Sequence, residues 1–250
     1  MLHVEEWGEG PPLLLLHGMT GAGADWRYVF DRDALGAAWH VLAPDLRGHG
    51  QSDNPSGTFS LSACADDVAE LLDARGIDQV RGIGFSLGGN VLLHLALRAR
   101  VRAMVVAGAL GYFPPTARGI MRSMTEASRT QAEWAEARAR HGDDDRVRAL
   151  WSYVRTMADA SEDFAPPSDG DSRAGPAHLC GWRSVAARTL IVAGDRDPLY
   201  PARHFLEMYE AVEDVALWIV PNAGHEVPFV EPTFGERALA FLTAQPEGRR

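Results

Sequence analysis

At 250 residues, 46% hydrophobic and 23% charged, the chain can bury one full core and carry at most an insertion. Its net charge of −10 argues against a nucleic-acid or anionic-membrane partner. Two cysteines, Cys64 and Cys180, are too few for a disulfide framework and stand in no zinc-ligand spacing, so a cytoplasmic setting without a metal is expected. Residues 1–6 contain no basic stretch leading into an apolar run, so no signal peptide is expected.

In chain order, residues 2–7 alternate and read as a strand, residues 8–12 hold the turn formers Gly8, Gly10, Pro11 and Pro12, and residues 13–16 form a short buried strand. That strand runs into a glycine-rich loop, 17–23. A short helix is expected over 25–30 and a strand over 40–43, ending at Pro44-Asp45-Leu46-Arg47-Gly48-His49-Gly50-Gln51-Ser52. Ser60 or Ser62 caps a helix over 61–76, with Val68, Leu71 and Leu72 facing inward. A strand over 80–85 precedes a helix with Val91, Leu92, Leu95 and Ala96 at helical spacing, and 101–107 is a strongly apolar strand.

The alternation then stops. Ile120, Met121, Met124 and Ala127, followed by Trp134 and Ala135, predict one or two amphipathic helices. Asp143, Asp144 and Asp145 open a further helix through Val147, Leu150, Trp151, Val154 and Met157. Residues 161–176, rich in Asp, Ser, Pro and Gly, read as a loop. Strand and helix resume over 188–193, 202–211, 215–220 and 233–243. Alternating β and α elements define an α/β fold, a mainly parallel sheet with helices on both faces. The interruption divides the chain into a core, 1–110 with 185–250, and an inserted helical cap, 111–184.

The chemistry is concentrated at strand ends. Gly84-Phe85-Ser86-Leu87-Gly88 places a serine in a tight strand-to-helix turn, where small flanking residues let strand and helix approach and the helix N-terminus offers free N–H groups. A serine hydroxyl needs a base. His225, after the strand at 215–220, reaches the same sheet edge. Asp195 and Asp197, after the strand at 188–193, are the candidate acids that would orient it. The order Ser, Asp, His results.

With these residues and with His17-Gly18, Asp45-Leu46-Arg47-Gly48-His49-Gly50-Gln51-Ser52 and Gly224-His225, the chain resembles the α/β-hydrolase superfamily across both ends, about 1–110 and 186–250. The resemblance implies a Ser86–His225–Asp197 triad, because Gly194, Asp197 and Pro201 fit the family's acid motif; Asp195 remains the alternative. It implies an oxyanion hole from the backbone N–H groups of Met19 and Leu87. It implies structural roles for His17 and for Asp45, Arg47 and His49. Many members carry an additional antiparallel strand ahead of the one at 2–7; without it about seven strands and an exposed or altered sheet edge are expected.

His94 is expected to pack or face solvent, and His3, His40, His141 and His204 stand in no constellation. The apolar payload of the insertion is expected both to pack it down and to line a pocket above Ser86, with Met121, Met124, Trp151, Phe164, His178 and Trp182 as lining candidates. Its arginines, among them Arg140 and Arg146, are read as solvated, and hinges are expected near Gly111 and Gly181. The expected function is hydrolysis of a carboxylic ester or lactone of a mid-sized, largely apolar small molecule, without a cofactor. The same triad also serves C–C bond hydrolysis of a diketone, aminopeptidase, perhydrolase and cyclase reactions, and a non-catalytic binding module is the alternative outside enzymes. Serine at position 86 argues against the dehalogenase and epoxide-hydrolase branches, which use Asp. Oligomeric state is not legible.

Overall fold

The computed structural model of the chain describes residues 2–159, 164 and 177–244. Seven strands form one sheet in the order β1-β3-β2-β4-β5-β6-β7: β1 Val4–Trp7, β2 Pro12–Leu16, β3 His40–Pro44, β4 Val80–Phe85, β5 Val101–Ala107, β6 Arg188–Gly194 and β7 Val215–Val220. β1 pairs antiparallel with β3 at one edge, and every other pairing is parallel.

Period-2 alternation divides the core between the two faces of this sheet. Leu14 and Leu16 of β2, Met104 and Val106 of β5, and Ile191 and Ala193 of β6 meet α2 (Leu61–Asp73), α3 (Leu87–Ala96) and α8 (Ala202–Ala211). Their alternates Leu13, Leu15, Val105, Leu190 and Val192 join Trp26, Phe30, Phe234 and Leu242 on the other face, over α1 (Arg32–Gly36) and α10 (Phe234–Thr243). On β4 the residues facing α3 are Gly82 and Gly84: a Cβ on Gly82 would lie 2.6 Å from Leu92 of α3 and one on Gly84 2.6 Å from Gly88 O, so their smallness lets α3 lie on the sheet.

Most element boundaries follow local chemistry. The Ser60 side chain accepts the Ala63 N–H at 3.0 Å and caps α2. α2 stops at Asp73 rather than at 76, because Gly76 sits at φ 66° while its N–H donates to Asp73 O and that of Ile77 to Leu72 O, the paired bonds of a Schellman end. The turn expected as a helix from residue 25 is a 3₁₀ helix, Gly23–Tyr28. α1, α7 (Ala177–Arg183) and α9 (Val227–Val230) had no periodic signal of their own; each is seven residues or fewer.

Between β5 and β6 lie α4 (Pro115–Ser123), a 3₁₀ turn, α5 (Gln131–His141), α6 (Asp144–Asp159) and α7. The expected loop over 161–176 falls outside the described residues except for Phe164. Phe164 and Trp182 are wholly buried, and the Trp182 indole donates to Leu110 O at 2.8 Å, so these two side chains are packing anchors rather than walls of a pocket. Gly111 and Gly181, expected as hinges, have a packing reason: a Cβ on either would collide with Phe164, at 2.7 and 2.2 Å. Two arginines expected in solvent are committed at the junction. Arg146 bonds Asp53 and the carbonyls of Gly50 and Ser52, and Arg140 bonds the carbonyl of Thr20.

Candidate active site

Ser86 stands at φ 51°, ψ −112°, between the last residue of β4 and the first of α3. A non-glycine residue there is strained, and the surrounding contacts hold it. Its N–H donates to Ala107 O of the neighbouring strand at 2.8 Å, and its carbonyl accepts the Asn90 N–H at 3.0 Å. The turn closes only because its flanking residues lack side chains: a Cβ on Gly88 would lie 2.2 Å from Leu16 O, and one on Gly84 2.6 Å from Gly88 O. The hydroxyl thereby projects at the carboxyl ends of the parallel strands.

His225 arrives from the loop after β7. Its Nε2 lies 2.8 Å from Ser86 Oγ and its Nδ1 2.7 Å from Asp197 Oδ2. A carboxylate can only accept, so Nδ1 carries the proton, Nε2 presents its lone pair, and the serine hydroxyl donates. The other oxygen of Asp197 accepts the N–H groups of Leu199 and Tyr200 at 2.8 and 3.0 Å, and the carboxylate is fully enclosed. Asp195 points elsewhere and accepts the Ala223 N–H at 3.2 Å, holding the loop that carries His225. Of the two candidate acids, the structure brings Asp197 to the imidazole.

The Met19 loop lies alongside. Gly18 abuts Phe85 and Ser86, and a Cβ there would lie 2.7 Å from the Phe85 ring and 3.6 Å from Ser86 Cβ. His17 is buried; it donates Nδ1–H to Gly18 O at 2.7 Å and accepts the Leu46 N–H at Nε2, 2.9 Å. Asp45 accepts the N–H groups of Gly23 and Gln51, Ser52 donates to Asp45 O, and Arg47 forms a two-pronged bond to Asp67 of α2. This segment therefore has its polar groups committed to building a turn. Burial pushes the pKa of His17 and His49 below the ordinary imidazole value, so both stay neutral. His94 packs between α3 and Gly111, its Nε2 3.0 Å from that carbonyl, with burial lowering its pKa to about 4.

Several contributors were not singled out by the sequence reading. Tyr200 stacks on His225 with ring centres 5.7 Å apart and planes 21° from parallel. Its hydroxyl accepts the Asn90 amide at 3.3 Å, while Asn90 Oδ1 accepts the N–H groups of Leu110 and Gly111. Asn90 thus ties the helix behind Ser86 to the exit of β5. Gly108, at φ 58°, lets that exit pass beside the imidazole: a Cβ would lie 2.9 Å from His225 Cε1. The pattern that could have flagged Tyr200 is its position three residues after Asp197, where it caps the acid turn.

The other lining candidates are distributed unevenly. Met121 and Trp151 are nearly buried in the core cluster, and Met124 is half-buried against it. His178 is half-buried, stacked on Tyr112 at 4.5 Å and edge-on to Trp182. A cleft of about 490 Å³ between Arg47, Asn54, Asp67 and Arg75 lies away from Ser86 and belongs to the outer face of α2. Among the described residues no cluster of His, Cys, Asp and Glu could hold a metal ion, and no helix is long and apolar enough to cross a membrane.

A family model described as alpha/beta hydrolase fold matches residues 11–232. The chain belongs to this family. The 2-hydroxymuconate semialdehyde hydrolase of Pseudomonas putida is 28% identical over 244 residues, covering 89% of this chain and 83% of that protein. An uncharacterised protein of Mycobacterium tuberculosis is 40% identical over 89 residues, 36% of this chain and 26% of the relative, so the chain spans about a quarter of that longer protein. Among solved structures, a thermophilic esterase from Thermogutta terrifontis superposes with a TM-score of 0.71 at 22% identity, over 96% of this chain and 91% of that one.

Proposed function

We propose that the protein is a serine hydrolase that cleaves a carboxylic ester or lactone through an acyl-enzyme on Ser86. One observation carries the reading: Ser86 Oγ, His225 and Asp197 form a continuous hydrogen-bonded line, 2.8 and 2.7 Å, at the carboxyl ends of the parallel strands. His225 Nε2 takes the hydroxyl proton as Ser86 Oγ attacks the carbonyl carbon. Asp197 holds the Nδ1–H tautomer and stabilises the imidazolium. The backbone N–H groups of Leu87, first residue of α3, and of Met19 receive the developing oxyanion. The tetrahedral intermediate collapses, His225 gives its proton to the departing alkoxide, and the alcohol leaves. Water, deprotonated in turn by His225, attacks the acyl carbon and frees Ser86.

The helices between β5 and β6 would act as a cap over this site. Met19 and Met124, half-buried against the core cluster, are adaptable apolar surfaces that suit a mid-sized, largely apolar substrate. A second reading, hydrolysis of a C–C bond in a diketone, draws support from the Pseudomonas putida relative, which is named for hydrolysis of a semialdehyde and aligns over most of both chains.

Fluorophosphonate labelling and turnover of p-nitrophenyl acetate and butyrate test the proposal. Labelling and turnover are expected in the native protein. Ser86→Ala should abolish labelling and, with His225→Ala, lower kcat by about 10⁴- to 10⁶-fold. A folded native protein that neither labels nor turns over ester would sink the ester reading. Turnover of 2-hydroxymuconate semialdehyde in place of ester turnover would favour the second.

A further inference from the structure

The inserted helices grip the turn that bears the Met19 amide. Residues 18–21 form a tight turn closed by the Gly21 N–H donating to Gly18 O at 3.0 Å. Of its two central residues only Thr20 has a positive φ, 63°, which makes it a type II turn. That position ordinarily takes glycine, and a β-branched residue is strained there. The Gly18 carbonyl also accepts the His17 Nδ1–H. In a planar trans peptide C=O and N–H point in opposite directions, so these two bonds to Gly18 O fix the direction of the Met19 N–H.

The Thr20 carbonyl is held from outside the core. His141, the last residue of α5, donates Nε2–H to it at 2.9 Å, and Arg140 donates Nη1–H at 3.2 Å. On its other edge His141 Nδ1 accepts the Gly50 N–H at 2.8 Å. The ring is 2% exposed, and both nitrogens are committed as one neutral tautomer. Burial lowers its pKa to about 4, which keeps that tautomer at neutral pH.

We infer that His141 is a positioning residue for the oxyanion turn: by holding Thr20 O while its other edge accepts the Gly50 N–H, it clamps residues 18–21, and the Met19 amide they carry, in place beside Ser86. This rests on the reading of Met19 as an oxyanion donor. Loss of that clamp leaves the turn to the Gly21 N–H and His17 bonds on Gly18 O and to Arg140, so the turn loosens as a unit and the Met19 amide loses its fixed place. His141 thus makes the competence of the turn depend on docking of α5.

The experiment measures Ser86-dependent hydrolysis of p-nitrophenyl butyrate in His141→Ala, His141→Gln and Arg146→Met, with amide exchange across residues 17–24. His141→Ala should lower kcat by about 10- to 100-fold while KM changes less than about threefold, a part of the loss expected for a missing oxyanion donor. His141→Gln can still donate to Thr20 O and accept from Gly50, and should recover to within about threefold of native kcat. The Gly21 amide should exchange at least about tenfold faster in His141→Ala. Arg146→Met loosens the same junction without touching the turn, and should lose stability but keep kcat. A folded His141→Ala with kcat within about twofold of native, or an equal kcat loss in Arg146→Met, overturns the inference. If His141→Ala does not fold, His141→Phe keeps the ring volume but removes both hydrogen bonds; an unchanged kcat there also overturns it. If the native protein shows no Ser86-dependent turnover, the functional reading falls by itself, and unchanged Gly21 exchange in the variants overturns the positioning role independently.

Discussion

At Gly108 the chain leaves no room for a side chain: it holds φ 58°, and a Cβ would press on His225 at 2.9 Å. Gly108→Ala should therefore displace the imidazole from Ser86 and lower kcat by about 10²-fold or more, at a stability cost of about 1–3 kcal/mol from strain and overpacking. Steady-state kinetics beside a urea melt separate the two effects, and an unaffected kcat would show that the imidazole tolerates the shift. Asp197→Asn keeps the shape of the acid but offers an amide to Nδ1. The wrong tautomer then faces Ser86, and kcat should fall by about 10⁴-fold while Asp195→Asn costs far less. Asp195 and Asp197 illustrate the limit of sequence at this scale. Both follow β6 and both are acids. The resemblance chose Asp197, and the geometric reason appears only when the Leu199 and Tyr200 amides are seen turning its carboxylate toward His225.

The elements most in need of tertiary information are those between β5 and β6. Trp182 is enclosed and bonded to Leu110 O, so it is predicted to anchor α7. Trp182→Ala should cost about 3–5 kcal/mol through the cavity it leaves, and Trp182→Phe about 1–2 kcal/mol through the orphaned carbonyl. Chemical denaturation measures both. A Trp182→Phe variant of native stability with altered preference for ester chain length would instead make the residue a pocket wall. Core elements were far more legible. The short continuous apolar runs of β2, β5 and β6 and the capping serine of α2 are local signals, and they fall where the residues themselves require them. Aromatic and Met residues in the insertion gave no such guidance, because packing anchors and pocket walls share one composition.

Among the described residues, the buried His17, His49 and His141 and the half-buried His94 have pKa values depressed by desolvation. Their unfolded value is near 6.5, so below that pH the unfolded chain binds more protons than the folded one. Stability is thus complete above about pH 6.5 and is lost as pH falls, continuing to about 4 for His94 and His141. Each contributes up to about 1.4 kcal/mol per pH unit within that window. Thermal melts from pH 7.5 to 4.5 should show a steep decline in Tm, and His94→Gln, which retains a donor for Gly111 O, should flatten it by about one proton's worth. An identical slope in the variant would mean that His94 is protonated at no cost in the folded state.

Legible in the residues alone were the class of fold, the strand and helix alternation of the core and the positions of the serine, the histidine and a pair of possible acids. These rest on local facts: period, turn chemistry, and glycines that a tight strand-to-helix junction demands. The tertiary structure decided which acid meets the imidazole, that Tyr200 and Gly108 flank it, and that Phe164 and Trp182 are buried anchors. It also decided the place of His141, which in the sequence has no companions. Its partners are the backbone groups of Thr20 and Gly50, 121 and 91 residues away. A backbone amide or carbonyl is present at nearly every position and so carries no residue signature; only the folded chain shows which of them a side chain reaches.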